Sequence, residues 1–144
     1  MTRIDFYVAQ PSSPLDRYQL ACRVANKAYQ AKHHVLMHAP ELEMARHLDR
    51  LLWTWHDISF IPHGLLGQAD PALNPILIGD VSAVESMETA DILINLVPTV
   101  PLFFSRFNRL IECVDQEATS KQQSRERYRF YRDRGYPLQM HQIT

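Results

Sequence analysis

Polar and apolar residues alternate from Arg3 to Val8 (RIDFYV), which puts Ile4, Phe6 and Val8 on one side and predicts a first strand. Gln10 to Pro14 turns the chain. Ser13 is placed to cap the next helix, with Pro14 at its first position and Asp16 in its first turn. The stripe Leu15, Tyr18, Cys22, Ala25 and Tyr29 carries that helix to about Lys32. Val35 to Met37 reads as a short second strand. Pro40, with Glu41 and Glu43, opens a second helix whose stripe is Leu42, Ala45, Leu48, Leu51 and Leu52. An aromatic loop or short strand, WTWHDISFIPHGLLG, covers Trp53 to Gly67. Ile76 to Ile78 and Ile92 to Leu96 are further strands, the second (DILINL) apolar enough to be central. Pro98 to Pro101 is expected to start a third helix with Phe103, Phe104, Phe107, Leu110, Ile111 and Val114 as its buried face. A basic helix follows, stopped by Gly135 and Pro137, and LQMHQI fits an edge strand.

Strands and helices alternating at this spacing imply βαβ crossovers. The expected fold class is α/β: one Rossmann-like three-layer domain over residues 1–144, with a mostly parallel sheet and helices on both faces. A length of 144 residues suffices for a sizeable core, and 46% hydrophobic with 22% charged residues are globular values.

The formal net charge is only −1, but it is unevenly spread. No Lys or Arg lies between Arg50 and Arg106, while Asp57, Asp70, Asp80, Glu85, Glu88 and Asp91 do. The stretch Lys121 to Tyr136 (KQQSRERYRFYRDRGY) then holds six cations against Glu126 and Asp133. At 100° per residue, Lys121, Arg125, Tyr128, Arg129 and Arg132 share one side of a helix, with Phe130 and Tyr131 available as its core face. Cations beside an aromatic ring suit a ligand that is both anionic and apolar. An acidic peptide with a terminal carboxylate meets that description, and so does a nucleic-acid backbone. A solvated face with no ligand is the plain alternative.

Other chemistry finds little support. The first strand-to-helix turn, AQPSSPLD, has no glycine to admit a pyrophosphate, and its prolines remove amide donors, so no cofactor is expected. His33, His34 and His38 cluster without a metal-ligand motif. His56, Asp57 and His63 can be combined into an acid/base pair only on paper, and no GxSxG elbow occurs. Catalytic and metal residues are therefore expected to be none. Cys22 and Cys113 sit in apolar patterns as free, buried thiols, which, with no signal-peptide pattern and no run long enough to span a membrane, gives the expectation of a reduced, cytoplasmic protein. Trp53, Trp55, Phe60 and Ile61 exceed what a surface loop ordinarily carries. Some are expected to be core, the others a second apolar surface.

Several segments together resemble one family. The strand DFYV, the loop SFIPHGL, the strand DILINL and above all KQQSRERYRFYR followed by Gly and an aromatic residue are similar, in order along the whole chain, to the chi subunit of bacterial DNA polymerase III. The most specific parts are S-F-x-P-H and R-E-R-Y-[KR]-x-Y-R. The resemblance implies a non-catalytic adaptor with a Rossmann-like fold and no nucleotide site. Its expected partners are the acidic C-terminal tail of single-stranded DNA-binding protein, ending Pro-Phe, and either the psi subunit of the clamp loader or an XPD/DinG-like helicase. Contact with nucleic acid is then mostly indirect, and no membrane is involved.

Carried over by position, the resemblance assigns tail binding to Val114, Lys121, Arg125, Tyr128 and Arg129. It assigns the psi or helicase face to Phe60 and Ile61. One departure stands out. Asp115 occupies a position where family members can have proline, and it puts an acid at the rim of a site meant for an acidic tail. Two other readings stay open: direct single-stranded nucleic-acid binding by the basic helix, with Tyr128 and Tyr131 stacking on bases, and a small enzyme acting on phosphate esters or nucleotides.

Overall fold

The alternation at the amino terminus forms β1 (Arg3–Ala9), followed by α1 (Arg17–Gln30), β2 (Val35–His38) and α2 (Leu42–Thr54). Then come β3 (His63–Leu65), β4 (Ile76–Gly79), β5 (Ile92–Asn95), a 3-10 turn at Phe104–Arg106, β6 (Arg109–Val114), α3 (Ala118–Asp133) and β7 (Leu138–Ile143). These elements belong to a computed structural model that describes residues 1–54, 61–80 and 91–143. The seven strands make one sheet in the order β3-β4-β2-β5-β6-β1-β7, every pairing parallel.

Side chains leave successive strand positions on opposite faces, so the sheet has two cores. Val35, Met37, Ile76, Ile78, Ile92, Ile94, Ile111 and Cys113 pack under α1 and α2. Ile4, Phe6, Leu36, Leu77, Leu93, Leu110 and Val114 pack with Phe104, Phe107 and Tyr131 beneath α3 and the 3-10 turn. The three-layer α/β architecture expected from the alternation is the one observed.

The sharpest correction concerns the helix expected after Pro101. Only the short 3-10 turn forms there, and Arg109–Val114 is instead the strand β6, between β5 and β1. A strand covered by helices on both faces is apolar at nearly every position, and such a run looks like a buried helix when apolar spacing alone is counted. Leu110 and Val114 point to one core and Ile111 and Cys113 to the other.

The start of α1 also differs. Asp16, not Ser13, is the N-cap: its carboxylate accepts from the Gln19 amide while the Gln19 side chain accepts from the Asp16 amide, a complete capping box. The buried stripe of α1 is accordingly Leu20, Ala21, Cys22, Val24, Ala25 and Ala28, with Tyr18 and Tyr29 only flanking it. The helix ends at Gln30, before the expected Lys32, which takes a left-handed φ of 66°. In α2, Ala45, Leu48 and Leu52 are buried as expected, while Leu42 is exposed.

The end of α3 follows the sequence signal. Gly135 has φ 79°, its amide donates to the Arg132 carbonyl at 3.0 Å, and the Tyr136 amide donates to the Tyr131 carbonyl at 3.2 Å. This is the Schellman arrangement, and it needs a residue that tolerates positive φ. The reversal lets β7 run parallel to β1 with Ile4 opposite Leu138. LQMHQI is the edge strand its composition suggested.

Candidate functional site

α3 crosses β1 on its way from β6 to β7, and the space between its outer face and the strands below is a cleft of about 390 Å³. Its floor comes from three strands: Phe6 and Val8 of β1, Val114 of β6 and Met140 of β7. Its wall is α3, through Lys121, Ser124, Arg125, Tyr128, Arg129 and Arg132. The five α3 residues expected to share a helix face do share it. Val114, Lys121, Arg125, Tyr128 and Arg129, which the resemblance grouped, line one cavity. Sequence reasoning missed Phe6, Val8 and Met140 as its floor. Phe6 and Val8 were recognisable as the inward side of β1, but where α3 would lie over them was not.

The six cations of the basic run fall into distinct roles. Arg127 points inward, is 7% exposed, and donates from Nε to Glu112 Oε1 at 3.0 Å and from Nη1 to the Pro98 carbonyl at 2.8 Å. Arg132 engages the neighbouring Asp133 at 3.1 Å. Arg134 lies over the Phe130 ring, 3.5 Å from its centroid. Lys121 donates to Gln116 Oε1 at 3.3 Å. Arg125 and Arg129 are exposed and make no ion pair or side-chain hydrogen bond among the described residues. Two uncommitted guanidinium groups therefore stand beside an apolar floor.

Beneath them lies a buried polar group of unusual completeness. Glu112, fully buried, accepts from Arg127, from the Tyr131 hydroxyl at 2.7 Å and from Asn95 Nδ2 at 3.1 and 3.2 Å. Burial raises the Glu112 carboxyl above its ordinary range, against the pull of Arg127, Tyr131 and Asn95. Tyr128 packs edge-on to Phe6, with ring centroids 5.4 Å apart, and Tyr131 does the same at 6.2 Å. Together these contacts fix α3 on the sheet and so fix the cleft wall.

Asp115 does not face the cleft. It is 5% exposed, and its carboxylate accepts from the Arg17 amide at 3.0 Å, from Arg17 Nη1 at 3.3 Å and from the Glu117 amide at 3.2 Å. It serves the amino terminus of α1, opposite in charge to Arg17. With Asp16 capping the same turn, the Arg17 and Gln19 amides of α1 are met by carboxylates where a dinucleotide-binding turn leaves such amides free.

On the aromatic segment the described residues divide. Trp53 is 56% exposed and touches the ring of buried His63 at 4.6 Å. Nδ1 of His63 lies 2.7 Å from the Ile61 carbonyl and Nε2 3.2 Å from the Asp49 carbonyl, and the tautomer sets which of the two accepts the ring N–H. Ile61 is 4% exposed and packs in the core under α1 and α2. Its side chain is a core member, not part of an open surface. Phe60, Trp55, His56 and Asp57 lie outside the described residues.

His33 and His34 are exposed and His38 is buried, and no group of three or more His, Cys, Asp or Glu capable of holding a metal ion occurs among the described residues. Both cysteines are free and buried, and burial pushes the Cys22 thiol up to about 12 and Cys113 higher still. No helix among the described residues is long and apolar enough to cross a membrane.

Comparison with known proteins bears on the whole chain. Its backbone is similar to the C-terminal domain of the DEAD-box protein Dbp5, with a TM-score of 0.66 over 99% of this chain and 90% of that one; at 11% identity this likeness concerns the fold alone. In sequence the chain is 37% identical to the DNA polymerase III subunit chi of Pseudomonas aeruginosa over 143 residues, covering 99% of this chain and 98% of the relative. It is 30% identical to the subunit chi of Haemophilus influenzae, over 92% of each chain, and 30% identical to that of Escherichia coli, over 96% of each. The profile of the family described as DNA polymerase III chi subunit, HolC, matches residues 1–139. The chain belongs to the DNA polymerase III chi subunit family.

Proposed function

We propose that this protein is a non-catalytic adaptor of the DNA polymerase III holoenzyme, and that the α3 cleft receives the acidic C-terminal tail of single-stranded DNA-binding protein. The observation that carries the reading is the pairing of free Arg125 and Arg129 with the apolar floor of Phe6, Val8, Val114 and Met140. A guanidinium takes a terminal carboxylate in a bidentate fork, worth on the order of 1.5–3 kcal/mol. Burying a terminal phenylalanine ring between Val114 and Tyr128 contributes a further ~1.5–3 kcal/mol. Those two terms fall short of the ~8 kcal/mol of a micromolar complex. Upstream acids set against Lys121 and Arg129 contribute the remainder, which makes the binding sensitive to salt. A partner that carries several tails gains further by avidity.

The same residues act by tethering, with no bond made or broken. A second face, to meet the psi subunit or an XPD/DinG-like helicase, is assigned by the resemblance to Phe60 and its neighbours. Calorimetric titration with an acidic peptide ending Asp-Ile-Pro-Phe, beside the same peptide without its Phe, tests the reading. Saturable heat from the first alone supports it, and equal heats from both overturn it.

A further inference from the structure

β7 forms one edge of the sheet and pairs only with β1 among the described residues. The Ile4 amide donates to the Pro137 carbonyl at 2.9 Å and the Gln10 amide to the Ile143 carbonyl at 2.8 Å. With Ile4 opposite Leu138, the parallel ladder uses Gln139, His141 and Ile143, and it turns the amides and carbonyls of Leu138, Met140 and Gln142 outward. Proteins commonly blunt such an edge by making it short or by placing charge or proline on it. The opposite edge, β3, is only three residues long. β7 is six residues long and carries no Lys, Arg, Asp, Glu or Pro.

This open edge is continuous with the cleft. Met140 is 56% exposed, its side chain lines the cleft floor, and its backbone groups face outward along the edge. The wall above carries Arg125, Arg129 and Arg132, and β7 offers no acid to repel a negatively charged chain. We infer that β7 is a strand-addition site, on which the extended acidic segment just upstream of the partner's terminal residue pairs as an eighth strand. The inference rests on the cleft being a tail-binding site. Main-chain pairing then supplies affinity indifferent to the upstream sequence, while the cleft reads the terminal residue. At ~3.3 Å per residue, β7 offers about 20 Å of edge, room for several upstream acids.

Amide hydrogen exchange on the full chain, followed by NMR with and without the peptide ending Asp-Ile-Pro-Phe, tests this. The Leu138, Met140 and Gln142 amides are expected to slow at least tenfold at saturation, while those of Gln139, His141 and Ile143 change little. Gln142→Pro removes an outward amide that makes no ladder bond and is expected to weaken the peptide several-fold. N-methylating alternate upstream residues of the peptide should give the same loss with the protein unchanged. If the peptide saturates an Arg125-dependent site and the three amides exchange as before, strand addition is wrong and tail binding stands. If the peptide does not bind, both fall. Protection of the same amides without peptide, growing with protein concentration, assigns the edge to a second copy of the chain and overturns the inference.

Discussion

Arg127 and Glu112, fifteen residues apart, meet between α3 and β6 at 3.0 Å, and their contact orients the helix that carries the candidate site. Removing one partner of a buried pair leaves the other charge without compensation, which costs about 3–5 kcal/mol. Arg127→Ala should therefore lose about that much in urea denaturation. The double replacement Glu112→Leu with Arg127→Met should recover much of it, because apolar groups of similar volume often substitute well for a buried pair. A loss below about 1 kcal/mol in the single variant would show that this pair does not hold α3 in place.

Asp115 separates stability from recognition. Because it bonds the Arg17 amide and guanidinium outside the cleft, Asp115→Ala should cost roughly 1–2 kcal/mol through the amino terminus of α1. Affinity for the acidic peptide should stay within about twofold, a difference of roughly 0.4 kcal/mol. A marked gain in affinity would mean that the acid does repel the tail.

His38 gives the acid side of the stability profile a definite sign. It is buried, Nδ1 has no hydrogen-bond partner among the described residues, and burial lowers its pKa, against smaller opposing effects of Gly79 and Asp80. A depressed folded-state pKa means stability is fully present above the unfolded value of about 6.5 and is lost as pH falls through the folded value. His38→Leu should remove this part of the dependence. Its stability relative to the parent should improve steadily as pH is lowered below about 6.5. Parallel profiles for the two proteins would contradict the assignment.

Lys32 closes α1 with φ 66°, its amide donating to the Tyr29 carbonyl at 2.8 Å and the His33 amide to the Ala28 carbonyl at 3.0 Å. This is the bonding seen at Gly135, but on a residue with a Cβ, which costs roughly 1–2 kcal/mol in left-handed backbone. Glycine relieves that strain and gives back part of it in unfolded-state entropy. Lys32→Gly is expected to raise the thermal midpoint by a few degrees, and a lower midpoint would contradict this.

The alternation of β1, the apolar run of β5 and the glycine stop of α3 each depend on local patterning, and each is legible in the sequence. β6 is not, since Arg109–Val114 is buried on both faces and its spacing carries no period that excludes a helix. The site divides the same way. Lys121, Arg125, Tyr128 and Arg129 follow from helical spacing, whereas Met140 joins them only because α3 passes over β1 before β7 pairs with it. The roles of Arg127 and Asp115 depend on partners 15 and 98 residues away in sequence, Glu112 and Arg17, which no local pattern identifies.

The most direct measurement is a fluorescence-anisotropy titration of a labelled acidic peptide ending Asp-Ile-Pro-Phe, comparing the parent protein with Arg125→Ala across a range of salt. Saturable binding that weakens with salt, falls at least tenfold in Arg125→Ala and is lost when the terminal Phe is removed is the predicted result. Binding that is unchanged by Arg125→Ala, or that a bare single-stranded oligonucleotide displaces as readily as the unlabelled peptide, would contradict it and make the basic helix a general anion surface.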